Sequence, residues 1–284
     1  MAAREENRGI AVPRADRTQS WTTLLTAGLG ASVVSVLVYA RTMAVFLIVW
    51  HLGSLWIGNS ILLPSPIAAA EALISLTRQG EVFSNVAASL TRLGVSFGLA
   101  LLIGVPLGLA MGLSRNIFAM VDPMIELLRP ISGIAWIPLG MFILGVGEAL
   151  PTAIMFYGAF FPVVINTIVG VRSVNPRLVQ GARVLGVGRV QIVRHVIWPA
   201  ALPNILVGAR LGAGASWMAM VAAELIGAPS GLGFAVEWYR ELLMTPSVLA
   251  FVFLIGLFGY LFDRALRWVQ RVATPWSQVE GDVL

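Results

Sequence analysis

The sequence contains no cysteine and no lysine, only two histidines, and charge on just 12% of its 284 residues. Without cysteine, neither disulfides nor thiolate metal sites are available. Without lysine there is no Gly-x-x-x-x-Gly-Lys phosphate loop, so any ATP that drives this protein must bind another chain. His51 and His195 each lack a second histidine or a carboxylate at metal-ligand spacing, and no catalytic set is visible. Charge is about half as frequent as in globular domains, and 58% of residues are hydrophobic, which marks an integral membrane protein. The opening MAAREENRGIAVPRADRTQS mixes both signs of charge before any apolar run, so it reads as a cytoplasmic tail rather than a secretory signal.

What the chain does have is apolar length punctuated by arginine. At about 20 apolar residues per crossing, five to seven spans fit. Residues 24–57 are too long for one straight span. A single tilted helix over 33–56 is the reading adopted, with two separate spans as the alternative. Further spans are expected at 86–113, 124–146, 150–171, 205–226 and 248–266. The stretch from Asn59 to Asn85 is read as a loop with a short amphipathic helix. The organisation is thus a tail and interfacial segment (1–32), a six-span all-α membrane domain (33–271) and a C-terminal tail (272–284). All nineteen basic residues are arginine. They are scattered among spans and flanks rather than gathered in a nucleic-acid footprint, and six spans with both ends inside satisfy the positive-inside rule. Gly104, Gly108 and Gly112 recur every fourth residue, a pattern that lets helices approach closely, and Gly208 with Gly212 forms a second such pair.

One polar interruption is too regular for a passive loop. Asn175 before Pro176 is a helix start. Leu178, Val179, Ala182 and Leu185 share a face, and Gly186 with Gly188 suits a left-handed stop. A second short helix follows, with Val190, Val193, Val196 and Ile197 on one side, and is expected to end at Pro199 and Pro203. Two short helices carrying Arg177, Arg183, Arg189 and Arg194 between spans suggest a docking surface for another protein.

This stretch resembles the cytoplasmic EAA loop of ABC importer permeases. Gln180, Gly181 and Ala182 stand at its first triplet, Gly186 at its glycine, Val196 at its isoleucine, and Trp198 with Pro199 at its end. Gln180 replaces the usual glutamate and Gly181 the usual alanine. The likeness covers about Leu62 to Pro275. Ser89-Leu90-Thr91-Arg92, Leu128-Arg129-Pro130 through Trp136-Ile137-Pro138, Phe161 through Thr167, and Trp217 through Glu224 are similar to the nitrate, sulfonate, taurine and bicarbonate group, and related riboflavin and pyrimidine-precursor permeases share much of the pattern. The resemblance implies a MetI-like fold in a bacterial inner membrane, with both termini cytoplasmic, and a homodimer. It also implies two cytoplasmic ATPase subunits holding ATP and Mg, and an extracytoplasmic solute-binding protein. The coupling loop would span 172–203, with Gln180, Gly181, Ala182, Arg183, Leu185, Gly186 and Pro199 as its working residues. Gly181 and Ala182 would sit in an ATPase groove. No cofactor is expected on this chain.

Ionisable and polar groups inside spans are expensive and mark pathways. Arg129, Ser132 and Trp136 lie on the Pro- and Gly-broken third span, whose freed backbone groups need protein or a wet cavity around them. With Asn166, Ser216 and Trp217 they are the candidate lining of a pathway for a small anion. Arg92 and Arg210 are read as interhelical partners of Glu126 or Glu224. Glu237, Trp238 and Tyr239 form either an interfacial belt or a landing site for the solute-binding protein. A channel or an ATP-independent carrier is the competing class, but the glutamates gather near span ends rather than at midplane.

Overall fold

The computed structural model describes residues 21–276. The expected N-terminal tail up to Ser20 and the C-terminal tail from Ser277 lie outside the described residues. Among the described residues every regular element is a helix. Residues through Trp56 form one unit and those from Ile57 onward another.

The first unit is a single helix, α1 (Trp21–Ile57), unbroken for 37 residues. At 1.5 Å per residue it is about 55 Å long, well beyond the roughly 30 Å of a hydrocarbon core. The alternative of two spans here is excluded, because no turn interrupts it.

The second unit opens with α2 (Pro66–Arg78), whose Ser65 Oγ accepts the Ala68 N–H at 3.2 Å while Pro66 occupies the first turn. Gly80, at φ 82°, then reverses the chain in a left-handed turn. α3 (Glu81–Leu113) follows directly. It starts five residues before the expected Val86, because Glu81 complements the helix N-terminus once the turn is made.

α6 (Ala149–Arg172) is the centre of this unit, flanked by α3 and by α9 (Trp198–Gly227). The α3 glycine stripe meets it as the spacing requires. A Cβ at Gly108 would lie 2.6 Å from Thr167 Cβ and 2.8 Å from the Val164 carbonyl oxygen, and one at Gly112 would lie 2.7 Å from Val171. On the other side, a Cβ at Gly208 or Gly212 of α9 would lie 2.9 Å from the Pro162 carbonyl or 2.7 Å from the Ala159 carbonyl, respectively. Gly170 of α6 returns the contact, facing Ala201. Apolar lipid offers no hydrophobic gain from helix pairing, so such close backbone approach supplies the van der Waals contact that holds the bundle.

The expected third span is not one helix. α4 (Arg115–Leu128), capped by Ser114, and the segment Gly133–Leu144 meet at 84°. A tight turn at Gly133–Trp136 leads into α5 (Ile137–Leu144). Pro130 explains the break through its missing N–H and the bulk of its ring, while Arg129 before it keeps helical geometry at φ −52°, ψ −41°. The freed Leu128 carbonyl accepts the Tyr157 hydroxyl at 2.6 Å and the Ile131 N–H at 3.0 Å. Among the described residues, five helices are long and apolar enough to cross a membrane, and the bent pair makes a sixth crossing if counted as one.

α7 (Pro176–Val184) and α8 (Arg189–Ile192) form the polar stretch between α6 and α9. α8 does not end at Pro199 or Pro203 as the sequence suggested. It passes through a widened turn at Val193–Ile197, where Trp198 N–H reaches the Val193 carbonyl, and continues as α9. Widening the turn re-phases the ladder just where Pro199 can donate nothing. Arg189–Gly227 is consequently one 39-residue helical element. α10 (Leu232–Glu241) and α11 (Thr245–Ala273) complete the unit.

Candidate functional site

The surface formed by α7 and α8 is built from its buried side outward. Asn175 caps α7 by accepting the Arg177 N–H at 2.9 Å, with Pro176 in the first turn. Ala182, Ile192 and Ile197 are buried with Val171 and Ala201, and Val179 packs against them. Ala182 therefore seats α7 on the protein's own core, whereas the resemblance placed it in a partner's groove. Leu178 and Leu185 were expected beside Ala182 but are exposed; for Leu185 the reason is that the helix ends at Val184 and Gly186, at φ 77°, turns the chain away. What α7 and α8 present outward is Arg177, Gln180, Gly181 and Arg183 beside Val184 (87% exposed), Leu185 (82%) and Val190 (80%). A Cβ at Gly181 would meet nothing within 4 Å. Apolar side chains this exposed at a helix junction mark an interaction surface. Pro199 sits at the start of α9, behind the widened turn.

The expected pathway residues divide into separate places. Arg129 and Ser132 are exposed at the α4–α5 bend, and Trp136 packs there beside Tyr157 with ring centroids 6.2 Å apart. Asn166 faces the α6–α9 seam, donating to the Pro162 carbonyl at 2.8 Å and lying against Gly208. Trp217 turns the other way, onto Gly259 and Phe262 of α11. Ser216 is fully buried. Its hydroxyl and the Trp136 indole N–H are the buried side-chain groups that lack a hydrogen-bond partner among the described residues. Such groups are rare enough in folded proteins to be functional candidates.

At the end of the unit opposite α7 and α8, a buried ionic network joins four segments. Arg92 of α3 donates through Nη1 to Glu224 Oε1 and to the Ser230 carbonyl, both at 2.7 Å. Its Nη2 donates to Glu148 Oε1 at 2.7 Å and Ser230 Oγ at 2.6 Å, and its Nε also pairs with Glu148. Glu224, 0% exposed, further accepts the Gly233 N–H at 3.0 Å and the Ser89 hydroxyl. Ser89 in turn accepts the Leu232 N–H at 2.8 Å. Gly231, at φ 117°, brings the backbone so close that a Cβ there would strike the Glu224 carboxylate at 2.5 Å. Every guanidinium donor direction is used, which is what lets a charge sit in this environment. Glu148, just outside α6, is held below the usual carboxylate range by its hydrogen bond to Arg92. Nearby, Tyr239 of α10 donates to Glu81, and burial together with that carboxylate pushes the phenol well up.

Comparison with known proteins decides what this architecture belongs to. Residues 104–274 match the family described as binding-protein-dependent transport system inner membrane component. The chain is a member of that family. It is 39% identical to the taurine transport system permease protein TauC of Escherichia coli K12, over 83% of this chain and 88% of that one. It is 33% identical to the nitrate import permease protein NrtB of Synechocystis sp. PCC 6803, over 84% and 90%. Its fold is that of the MetNI methionine ABC transporter in an inward-facing conformation, with a TM-score of 0.60 at 21% identity, covering 67% of this chain and 94% of that one.

The protein is accordingly a permease component of an ABC importer, with the fold of MetI-type permeases and with ATP hydrolysis on a separate subunit. The sequence left Arg92 and Arg210 to Glu126 or Glu224; in this permease Arg92 pairs with Glu224 at 2.7 Å, whereas Arg210 pairs with neither glutamate but with Asp263 of α11 at 2.8 Å. Glu148 and Ser230 were not singled out in advance, and Ser89 was noted only as part of a motif, without this role. Each looks ordinary in sequence, and only the requirement that a buried arginine fill all its donor directions could have pointed to them.

Proposed function

We propose that this permease carries a small anion of the nitrate, sulfonate or bicarbonate kind inward across a bacterial inner membrane, as one half of a homodimer. Both termini and the α7–α8 surface face the cytoplasm, where two ATPase subunits with their ATP and Mg dock. α10 and the Glu148 loop face outward, toward the solute-binding protein. The observation that carries this reading is the continuity of α8 with α9. A push on the docking surface is delivered along one helical element from Arg189 to Ser216 and to Glu224, roughly 40 and 52 Å along it at about 1.5 Å of rise per residue. ATP-driven closure of the partners would tilt that element and exchange access between the two sides. The Arg129–Trp136 bend, with its exposed guanidinium, is the place where the anion meets the chain. Electrostatics supports this choice, because exposed arginine on a broken span attracts an anion without needing to be desolvated first.

The test is to break the rod while leaving both of its ends intact. Inserting three glycines between Ile197 and Trp198 should preserve membrane insertion and copurification of the ATPase, yet abolish solute-dependent uptake in reconstituted vesicles. Undiminished uptake would defeat the proposal. Titrating the solute-binding protein with nitrate, taurine and bicarbonate identifies the solute.

A further inference from the structure

Between Glu148 and Glu224 the chain contains no aspartate or glutamate at all, yet it places Arg172, Arg177, Arg183, Arg189 and Arg194 on or beside the α7–α8 surface. Arg172 lies over the Phe118 ring, 3.7 Å from its centroid, and so is committed to the protein itself. Arg177, Arg183, Arg189 and Arg194 are exposed, and the ion pairs formed among the described residues use none of them. The helical register sharpens this. Val179 and Ala182 seat α7 on the core. At 100° per residue, the opposite face is Arg177, Gln180, Gly181 and Val184, so a guanidinium stands one turn from the open glycine. The outermost position that carries a carboxylate in the EAA pattern carries a neutral amide here.

Resting on the coupling reading above, we infer that the groove receiving α7 is acidic: the ATPase subunit meets Arg177 and its neighbours with carboxylates, while Val184 and Leu185 fill the apolar floor. An anionic membrane surface is the other chemistry that would favour arginine. Two features argue against it. Residues 173–197 contain no Trp, Tyr or Phe, whereas helices that lie in the headgroup layer use Trp and Phe on their buried face. The arginines also alternate with exposed aliphatics and a bare glycine, rather than segregating to one side of an apolar stripe. A surface with flat relief, branched aliphatics and guanidinium forks instead fits a protein groove with planar acceptors.

The experiment measures the affinity of the copurifying ATPase chain for the detergent-solubilised permease, across a range of sodium chloride, for the natural chain, Gln180→Glu, Arg177→Gln and Gly181→Trp. All three positions are exposed, so folding is not at stake. An acidic groove makes the natural affinity fall with salt. Gln180→Glu should weaken binding about fivefold, and Arg177→Gln about tenfold with a shallower salt dependence. Tighter binding by Gln180→Glu, or a natural affinity indifferent to salt, overturns the inference. If Gly181→Trp alone blocks binding, the coupling reading stands and the acidic groove falls. If Gly181→Trp also leaves binding untouched, the coupling reading itself is lost. Repeating the measurement in nanodiscs of phosphatidylcholine and of phosphatidylglycerol separates the lipid source: an effect of Arg177→Gln confined to phosphatidylglycerol assigns the arginines to the membrane and overturns the inference.

Discussion

Gly108 and Gly94 sit in the same helix and differ only in what surrounds them. A methyl at Gly108 would collide with the Val164 carbonyl, a backbone atom that cannot move aside, whereas nothing lies within 4 Å of one at Gly94. Gly108→Ala should therefore destabilise the protein by about 1–3 kcal/mol, while Gly94→Ala stays within about 1 kcal/mol of the natural protein. Thermal unfolding in detergent distinguishes the two. The Arg92 network makes a sharper demand. Replacing Glu224 by Gln removes a carboxylate that a buried guanidinium relies on, and the expected loss is about 3–5 kcal/mol. Glu148 is different, since its side chain is 63% exposed and water can replace what it gives. Its pH behaviour still has a definite sign. A carboxylate whose folded value is lowered stabilises the fold above its unfolded pKa, and that contribution disappears as pH falls through the folded value. Stability of the natural protein should thus drop below about pH 4, and Glu148→Gln should flatten that drop. Arg129→Ala, at the exposed bend, should raise the KM for anion uptake with little change in unfolding temperature, since no packing is lost with it.

At the scale of elements, the same prolines that organise the chain also explain where sequence reading succeeded and failed. The span at 150–171 was legible to within a residue at each end and the one at 248–266 to within a turn at its start, because long apolar runs bounded by charge admit one reading, although α11 runs on past 266 to Ala273. Pro130 was legible as a break, but not as an 84° bend between two helices, since the angle depends on Tyr157 capturing the freed carbonyl. Pro199 was misleading. Proline ordinarily stops a helix, and no local signal announced that a widened turn would carry α8 across it into α9. The first short helix of this stretch was legible, but the second is the opening of the long element that runs to Gly227, and the inward turn of Ala182 and the outward turn of Leu178 and Leu185 were hidden. A nine-residue helix has too few turns for periodicity to fix which side is buried.

For the whole molecule, the absence of cysteine makes sidedness directly measurable. A single cysteine introduced at Arg183 should react with a membrane-impermeant thiol reagent only in inside-out vesicles, and one at Glu241 of α10 only in intact cells. Reversal of this pattern would invert the proposed orientation. The orientation matters because the two ends of the bundle are built differently. One end is tied by a charge network that links α3, α9, α10 and the start of α6; the other is an apolar seat under a pair of short helices.

Between these ends lies the glycine-lined contact of α6 with both of its neighbours. On either flank a glycine sits so close to the neighbouring helix that a methyl there would strike a carbonyl or a β-branched side chain, leaving little room for one helix to slide past another. α3, α6 and α9 therefore behave as a single plate. Such a plate tips as a body more readily than it stretches or shears, so on the proposed mechanism a passage along this permease opens at its margins, where α4, α5 and α11 border it.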